Sequence, residues 1–362
     1  MSKICKHDIK RRAAGRWDSI LRKLIPQLAE AIDAPAKKKV GCPFHSGKTE
    51  RNLRVLSDFA ESGGVACNTC GVKPDGLETL VWSGMSFQDA VHAVAQELDG
   101  TYAGLTSEQL AKQQAELDAR RAAAAKKQAA DDKIYRRRLN EVWSQSVPLD
   151  HPAALPGRLY LEKRGLGGLK TYPSELRFHA RLAYVNEDGK YLGHWAAIVA
   201  RLRTADGSPA SLLRIYVGPN GEIPDLPDRK KMMSAPSTTS LTGGAIRLFP
   251  VTRIMGTAEG VETALAVYLL YGISCWSTFS AQLMEGFIAP PGVEKLLVFG
   301  DKDRNGRGEQ AARIVIKKHW EAGVMAGIRL PDGDIPAGAK GLDFLDVLAG
   351  TETSDAVNKK VA

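Results

Sequence analysis

Nothing in this chain reaches the twenty or so consecutive apolar residues that a membrane-spanning helix needs. Its longest apolar runs, such as Ala264–Leu270, fall far short, so no membrane partner is expected. The opening stretch MSKICKHDIKRR is charged and has no apolar segment behind it, which excludes a secretory signal. Cysteine is scarce and odd in number, five in 362 residues, and this argues against a disulfide framework. These absences together predict a cytoplasmic chain. No GxxxxGK[ST] phosphate loop occurs anywhere, so no motor driven by nucleotide hydrolysis is expected within the sequence.

What is present in excess is positive charge. The formal net charge is +9 and the pI about 9.2. Residues 1–60 hold 14 Lys and Arg against 6 Asp and Glu, so +8 of the excess lies in the first sixth. A basic end on an otherwise balanced chain points to a polyanion partner, nucleic acid being the commonest, against the plainer reading of solvated surface charge.

At this length two or three domains with real cores are possible. Residues 17–33 carry apolar side chains at helical spacing (Trp17, Ile20, Leu21, Leu24, Ile25, Leu28, Ile32), with Pro26 placed to bend or split the helix. A short basic linker, APAKKK, follows, and residues 40–82 read as short strands and turns. Residues 86–99 predict a second helix with Ser86 as its N-cap. Residues 106–140 are rich in Ala, Gln, Lys and Arg and predict a long exposed helix that acts as a tether. Residues 146–250 break into strand-like runs separated by turn signals, a small α+β unit. Residues 251–350 alternate strand and helix, which predicts a parallel sheet with helices on its faces.

Three of the five cysteines fall within 29 positions. The pattern is Cys42-x-x-His45, then 21 residues, then Cys67-x-x-Cys70. Two close pairs joined by a hairpin-length loop suit a tetrahedral zinc ion, and four protein ligands make the site structural. Cys5 and Cys275 have no such partners and are expected to be inert. Lys48, Arg51 and Arg54 lie between the pairs, where cations suit DNA phosphate or merely a solvated strand.

The second constellation is acidic. Glu259 follows the strand Arg253–Ala258, and Asp301 and Asp303 follow the strand Glu294–Gly300. Ligands gather at the carboxyl ends of strands in alternating sheets. If these two strands are neighbours, three carboxylates converge and call for a hard cation, Mg²⁺ or Mn²⁺. Such ions activate an attacking oxygen and stabilise a leaving phosphate. The bland alternative is that Asp and Gly simply end a strand.

Glu259-Gly260 followed by Asp301-Lys302-Asp303 resembles the Toprim domain, shared by bacterial-type primases, topoisomerases and some nucleases. AEGVETALA is especially similar to the Toprim domains of phage- and plasmid-borne primases. CPFH…CNTCG with the following DGLETLVWSGMSFQDAVHAVAQEL resembles the N-terminal zinc-binding domain of satellite-phage and plasmid primases. YLEKRGL, LRFHA, KKMMS and GGAIRLF fit the stretch between, and the likeness spans roughly residues 10–350 in the family's order.

The resemblance implies an α/β multi-domain protein. Its segments would be an N-terminal helical segment (1–36), a zinc ribbon (37–103), a long helical linker (104–145), a basic α+β subdomain (146–250), a Toprim catalytic domain (251–352) and a tail (353–362). It implies Zn²⁺ on Cys42, His45, Cys67 and Cys70, and catalytic Mg²⁺ or Mn²⁺ on Glu259, Asp301 and Asp303. Arg201, Arg203, Arg214, Lys230, Lys231 and Arg247 become candidates for template and nucleotide. Tyr191, Trp195 and Tyr216 are aromatic residues that either stack on bases or sit in the core. Relatives often carry an acid four positions after the motif glutamate. Thr263 stands there, Glu262 sits one earlier, and Asp343 and Asp346 offer later acids. Satellite-phage relatives continue into a helicase, so unwinding would fall to a separate replicative helicase.

The expected activity is that of a DNA primase joining ribonucleoside triphosphates on single-stranded DNA for a phage, plasmid or integrated island. The rivals are a Toprim nuclease, a topoisomerase (for which no gate-domain tyrosine is evident), a non-catalytic zinc DNA-binding protein, and a phosphatase using the Asp-x-Asp pair.

Overall fold

The computed structural model describes residues 6–34, 38–44, 52–102, 107–304, 306–339 and 341–350. Cys5, His45, Lys48 and Arg51 fall outside these. The chain forms two compact units, residues 1–127 and 128–362.

The first unit opens with helices α1 (Lys6–Ala13), α2 (Trp17–Leu24) and, after a 3-10 turn at Pro26–Leu28, α3 (Ala29–Asp33). The amphipathic run 17–33 is therefore split at its proline. Ile25 leaves the helical region (φ −134°, ψ 74°) because the ring of a following proline disfavours it there. Strands β1 (Leu53–Val55), β2 (Val65–Cys67) and β3 (Gly71–Lys73) make an antiparallel sheet in that order, with α4 (Phe59–Ser62) between the first two. Helices α5 (Gly76–Trp82) and α6 (Phe87–Tyr102) follow. Asp75 caps α5 by accepting from the Leu77 and Glu78 N–H groups, and the Ser86 hydroxyl accepts from the Asp89 N–H at 3.1 Å, the cap that the sequence predicts. The core gathers Trp17, Leu21, Leu28, Leu53, Leu77 and Leu80. Trp17 lies so close on α5 that a Cβ at Gly76 would stand 2.2 Å from its ring.

Helix α7 (Ser107–Gln145) is 39 residues long and crosses from the first unit into the second. Leu139, Val142 and Trp143 near its end pack against a cluster that holds Tyr184, Leu212 and Tyr216. Asp132, 4% exposed, accepts hydrogen bonds from the Ser237 N–H and hydroxyl, both at 2.8 Å.

The second unit is built on one ten-stranded mixed sheet. Its antiparallel half comprises β4 (Val147–Pro148), β5 (Leu176–Val185), β6 (Tyr191–Arg203), β7 (Pro209–Val217) and β8 (Lys230–Met232), with helix α8 (Leu155–Lys163) between the first two. The two-residue strand β9 (Ala245–Ile246) joins the halves, since Ile246 pairs with Leu202 on one side and Ser277 on the other. The remaining elements are β10 (Ile254–Ala258), α9 (Val261–Tyr271), β11 (Cys275–Ser277), α10 (Ala281–Gly286), β12 (Lys295–Phe299), β13 (Lys302–Asp303), α11 (Arg307–Glu321), β14 (Met325–Arg329) and β15 (Gly341–Leu342). The sequence predicts this alternation. Strands β14, β12, β10 and β11 lie side by side in that order, all parallel.

Both faces of the parallel half are covered, which is why β12 reads as an unbroken apolar run from Leu296 to Phe299. Leu297 and Phe299 join the large core that includes Val261 and Ala264–Val267 of α9, while Leu296 and Val298 join a second core with Ala311, Ala312 and Val315 of α11. Among the described residues, no helix is long and apolar enough to cross a membrane.

Replacing Gly76 by Ala forces a methyl group into the Trp17 ring. Gly76→Ala is expected to destabilise the first unit by about 1–3 kcal/mol, the usual cost of overpacking, as read by urea denaturation followed through tryptophan fluorescence.

Candidate functional site

In the first unit Cys42, Cys67 and Cys70 bring their sulfur atoms within 4.8 Å of one another. The knuckle explains how. Gly71, at φ 80°, turns the chain in the left-handed region directly after Cys70, and the Cys70 N–H points at the Cys67 Sγ at 3.5 Å. Pairing of Cys67 with both Leu53 and Gly71 anchors the knuckle in the sheet. Burial pushes the Cys42 thiol up, and burial together with Cys67 pushes Cys70 up to about 12. Burial also opposes the Cys67 thiolate, yet the N–H groups of Cys70 and Thr69 hold this thiol below its ordinary value. Three crowded sulfurs that resist ionising together fit a soft cation that would take their protons' place. The fourth expected ligand, His45, and Arg51 lie outside the described residues. Arg54 sits half-buried on β1.

In the second unit the condition set by the sequence is met: β10 and β12 are neighbours, with Ala258 paired to Phe299. The next residues, Glu259 and Gly300-Asp301, therefore leave the sheet side by side. The chain continues into β13, whose Asp303 pairs with Gly341 of β15, and this brings up Asp343. Glu259, Asp301, Asp303, Asp343 and Asp346 line one cavity of about 410 Å³, together with Lys302.

The roles of these acids differ. The Asp303 Oδ2 accepts from the Gly308 N–H at 3.1 Å, at the start of α11, and a Cβ at Gly308 would stand 3.4 Å from that oxygen. Asp343 caps the helical residues 344–350: its Oδ1 accepts from the Leu345 and Asp346 N–H groups (2.8 and 3.0 Å), while Asp346 Oδ2 accepts from the Asp343 N–H. The Glu259 carbonyl receives the Ser277 hydroxyl and the Phe279 N–H, each at 2.7 Å. The Asp301 Oδ1 is buried with no hydrogen-bond partner, and burial plus the charges of Asp343, Glu259 and Asp303 raise the Asp301 pKa to about 7. A buried acceptor left unpaired among like charges is what a divalent cation would satisfy.

Glu262 takes no part in the cavity wall. It is 2% exposed within α9, and its oxygens accept from the Tyr160 hydroxyl of α8 and the Lys230 ammonium of β8, both at 2.8 Å. Burial would raise its pKa, but the Lys230 charge and hydrogen bond carry it below the ordinary value. The Lys230 charge also reaches Asp301, where it favours the ionised form. Thr263, at the position where relatives carry an acid, is buried against Gly260.

The other basic candidates are more occupied than the sequence implies. Arg201 grips Glu175 with two bonds (2.6 and 2.8 Å) and Arg203 grips the same carboxylate at 2.9 and 3.1 Å. The Arg201 guanidinium also stacks 4.1 Å over Trp143. Arg247 donates to the carbonyls of Thr204 and Ala205, Arg214 to the Tyr216 hydroxyl, and Lys231 to the Val185 carbonyl. Of the aromatic candidates, Tyr216 is fully buried, Trp195 donates to the Leu192 carbonyl, and Tyr191 is 53% exposed. Sequence reasoning missed Tyr160 and Glu175, since partners this remote leave no local pattern.

Two outcomes follow. Full-length protein is expected to hold one zinc per chain, and Cys67→Ser or a chelator is expected to release it and abolish cooperative unfolding of the first unit, as followed by metal analysis and calorimetry. Lys230→Met strands a buried carboxylate and is expected to cost about 3–5 kcal/mol in denaturant unfolding of the second unit. Adding Glu262→Gln to that variant is expected to recover part of the loss.

Residues 134–248 match a domain of unknown function (DUF7146) and residues 254–352 match the Toprim domain. No curated protein shows a significant sequence match. Among solved structures, a DnaG primase catalytic domain bound to single-stranded DNA aligns at TM-score 0.40 and 15% identity, covering 64% of this chain and 79% of that one. The E. coli primase catalytic core aligns at TM-score 0.37 and 15% identity, over 56% and 71% of the two chains. The zinc-binding and RNA polymerase domains of Aquifex aeolicus primase align at TM-score 0.37 and 15% identity, over 96% and 85%. Residues 254–352, which carry Glu259, Asp301 and Asp303, are thus a Toprim domain.

Proposed function

We propose that this chain is a DNA primase, which reads single-stranded DNA and joins ribonucleoside triphosphates into a short RNA primer for a phage, plasmid or integrated island. The observation that carries the reading is the orphaned Asp301 oxygen at the centre of a carboxylate-lined cavity, within a segment that matches the Toprim domain. The cysteine cluster and the basic first sixth of the chain support a nucleic-acid enzyme over a small-molecule phosphatase.

In this reading Glu259, Asp301 and Asp303 hold Mg²⁺ or Mn²⁺, with Asp343 at the edge of the set. When bound, these cations supply the charge that aligns and neutralises an in-line displacement at phosphorus. The 3′-hydroxyl oxygen of one nucleotide bonds to the α-phosphorus of the next and gives up its proton to solvent, while the bond from that phosphorus to the α,β-bridging oxygen breaks and pyrophosphate leaves. The chain's own contribution is placement. Parallel strands fix the spacing of Glu259 and Asp301, the Gly308 N–H fixes one Asp303 oxygen, and Glu262 holds the Lys230 ammonium where its charge reaches Asp301. Lys231 and Arg214 belong to the same antiparallel half and are assigned to the template or triphosphate. Zn²⁺ on Cys42, His45, Cys67 and Cys70 would shape a module that helps select the start site, and a separate helicase would expose the template.

The test is primer synthesis on circular single-stranded DNA with labelled ribonucleotides and Mg²⁺, wild type beside Asp301→Ala. Short RNA products from wild type are expected, with a loss of at least about 100-fold in the variant, as for removal of a major electrostatic contributor. Nicking of the template without RNA would instead establish a Toprim nuclease. DNA binding with neither product would favour a non-catalytic replication protein.

A further inference from the structure

One residue in the second unit adopts a backbone conformation that its type disfavours. Phe279 has φ 67°, the only positive φ of a non-glycine among the described residues. Gly or Asn adopts this left-handed region readily, whereas an aromatic residue pays for it. The strain has a visible product: it aims the Phe279 N–H at the Glu259 carbonyl, 2.7 Å away. Gly would make that backbone bond with no strain, so the bond does not account for the ring. The Phe279 ring is half-buried, partly against the large core.

Phe279 also lines a cavity of about 370 Å³ that shares no lining residue with the acidic one. Met232, Thr242, Ser280, Gln282 and Leu283 also line it. One wall is tied to the acidic cavity, because the Phe279 N–H donates to the carbonyl of Glu259, and another, Met232, ends the three-residue strand that starts at Lys230, whose charge reaches Asp301.

We infer that this cavity receives the base of a nucleoside triphosphate whose phosphates lie at the acidic cavity, with Phe279 as its stacking platform. The inference rests on the primase reading and adds a subsite to it. The volume falls in the range of small-molecule sites, which begins near 300 Å³. An aromatic face stacks on any base, and the Met232 thioether in the same lining is of a kind that makes favourable contact with a ring. The Gln282 carboxamide both donates and accepts, the Thr242 hydroxyl rotates to suit, and the Ser280 oxygen accepts from the Leu283 N–H and keeps its proton to donate. Such a lining tolerates all four bases, as required where a template makes the choice. The strain at Phe279 is then part of the site: it holds a ring beside the cavity while its own N–H fixes the first metal-binding residue.

The experiment measures binding to the full chain in Mn²⁺ by calorimetry, with ATP, GTP, CTP and UTP compared against inorganic tripolyphosphate. Wild type is expected to bind each nucleotide more tightly than tripolyphosphate. Phe279→Asn tolerates the left-handed backbone but lacks the ring, and is expected to weaken nucleotide binding by about 5- to 150-fold, the value of one base–aromatic stack. Tripolyphosphate binding is expected to be unchanged. Thr242→Trp places bulk at an exposed wall of the cavity and is expected to give the same selective loss, so the test survives if the first variant does not fold. Nucleotide affinity within twofold of wild type in a folded variant would overturn the subsite and leave the primase reading standing, as would equal wild-type affinities for nucleotides and tripolyphosphate. A wild type that binds neither would overturn the primase reading itself.

Discussion

The parallel register of β10 and β12 is the constraint on which the acidic site depends. Because Ala258 faces Phe299, the residues that follow each strand must leave the sheet together, and both carry acids. The return through β13 and β15 adds Asp343 to the same place. Like charges gathered by the backbone cannot separate by moving side chains alone. The cost falls on the most enclosed member, Asp301, whose ionisation is driven up to about 7. A fold held together only at this end would relieve the repulsion by fraying. It does not, because apolar cores on both faces of β12 fix the strand independently of what its end carries.

Positive charge is distributed by the same economy. The formal charge of +9 gives no measure of how many cations remain for a polyanion. Glu175, whose side chain is only 10% exposed, absorbs both Arg201 and Arg203, and one of these also covers Trp143. Removing a buried carboxylate from water requires this kind of double compensation. The two arginines thus hold the antiparallel half together at its end, through a residue one strand away. Lys230 is used differently. It neutralises Glu262 and remains one-third exposed, so a single ammonium serves both a buried partner and the neighbouring acids.

Much of this was legible in the sequence, and the limit has a physical form. Periodicity disclosed α6, α7 and the alternation of residues 251–350, because each signal repeats within one element. The knuckle at Cys67–Cys70 and the acids after β10 and β12 were legible because glycine and a strand end mark them locally. The pairs that fix the rest span distances no local pattern covers. Tyr160 and Glu262 are 102 positions apart and Arg201 and Glu175 are 26 apart. The link between the sheet's two halves rests on β9, two residues long, too short to carry a period. Phe279 was illegible for the opposite reason: the left-handed turn usually announces itself with Gly or Asn, and here it does not.

The displaced acid in α9 follows from helix geometry. One position along a helix is a rotation of about 100°, so Glu262 and position 263 face different surroundings. Position 263 packs against Gly260, where a threonine fits under the loop and a carboxylate would add another buried charge. Moving the acid back by one turns it from the acidic cavity toward α8 and β8, where Tyr160 and Lys230 wait. The pair Glu262–Lys230 is neutral as a unit, so it adds no charge to the cluster. It does position the ammonium, and it joins the antiparallel half to α9 through a contact that Lys230 cannot leave without stranding the buried Glu262 carboxylate. Helix α9 therefore adds no net charge to the acidic cavity, and the Lys230 ammonium it holds favours the ionised form of Asp301.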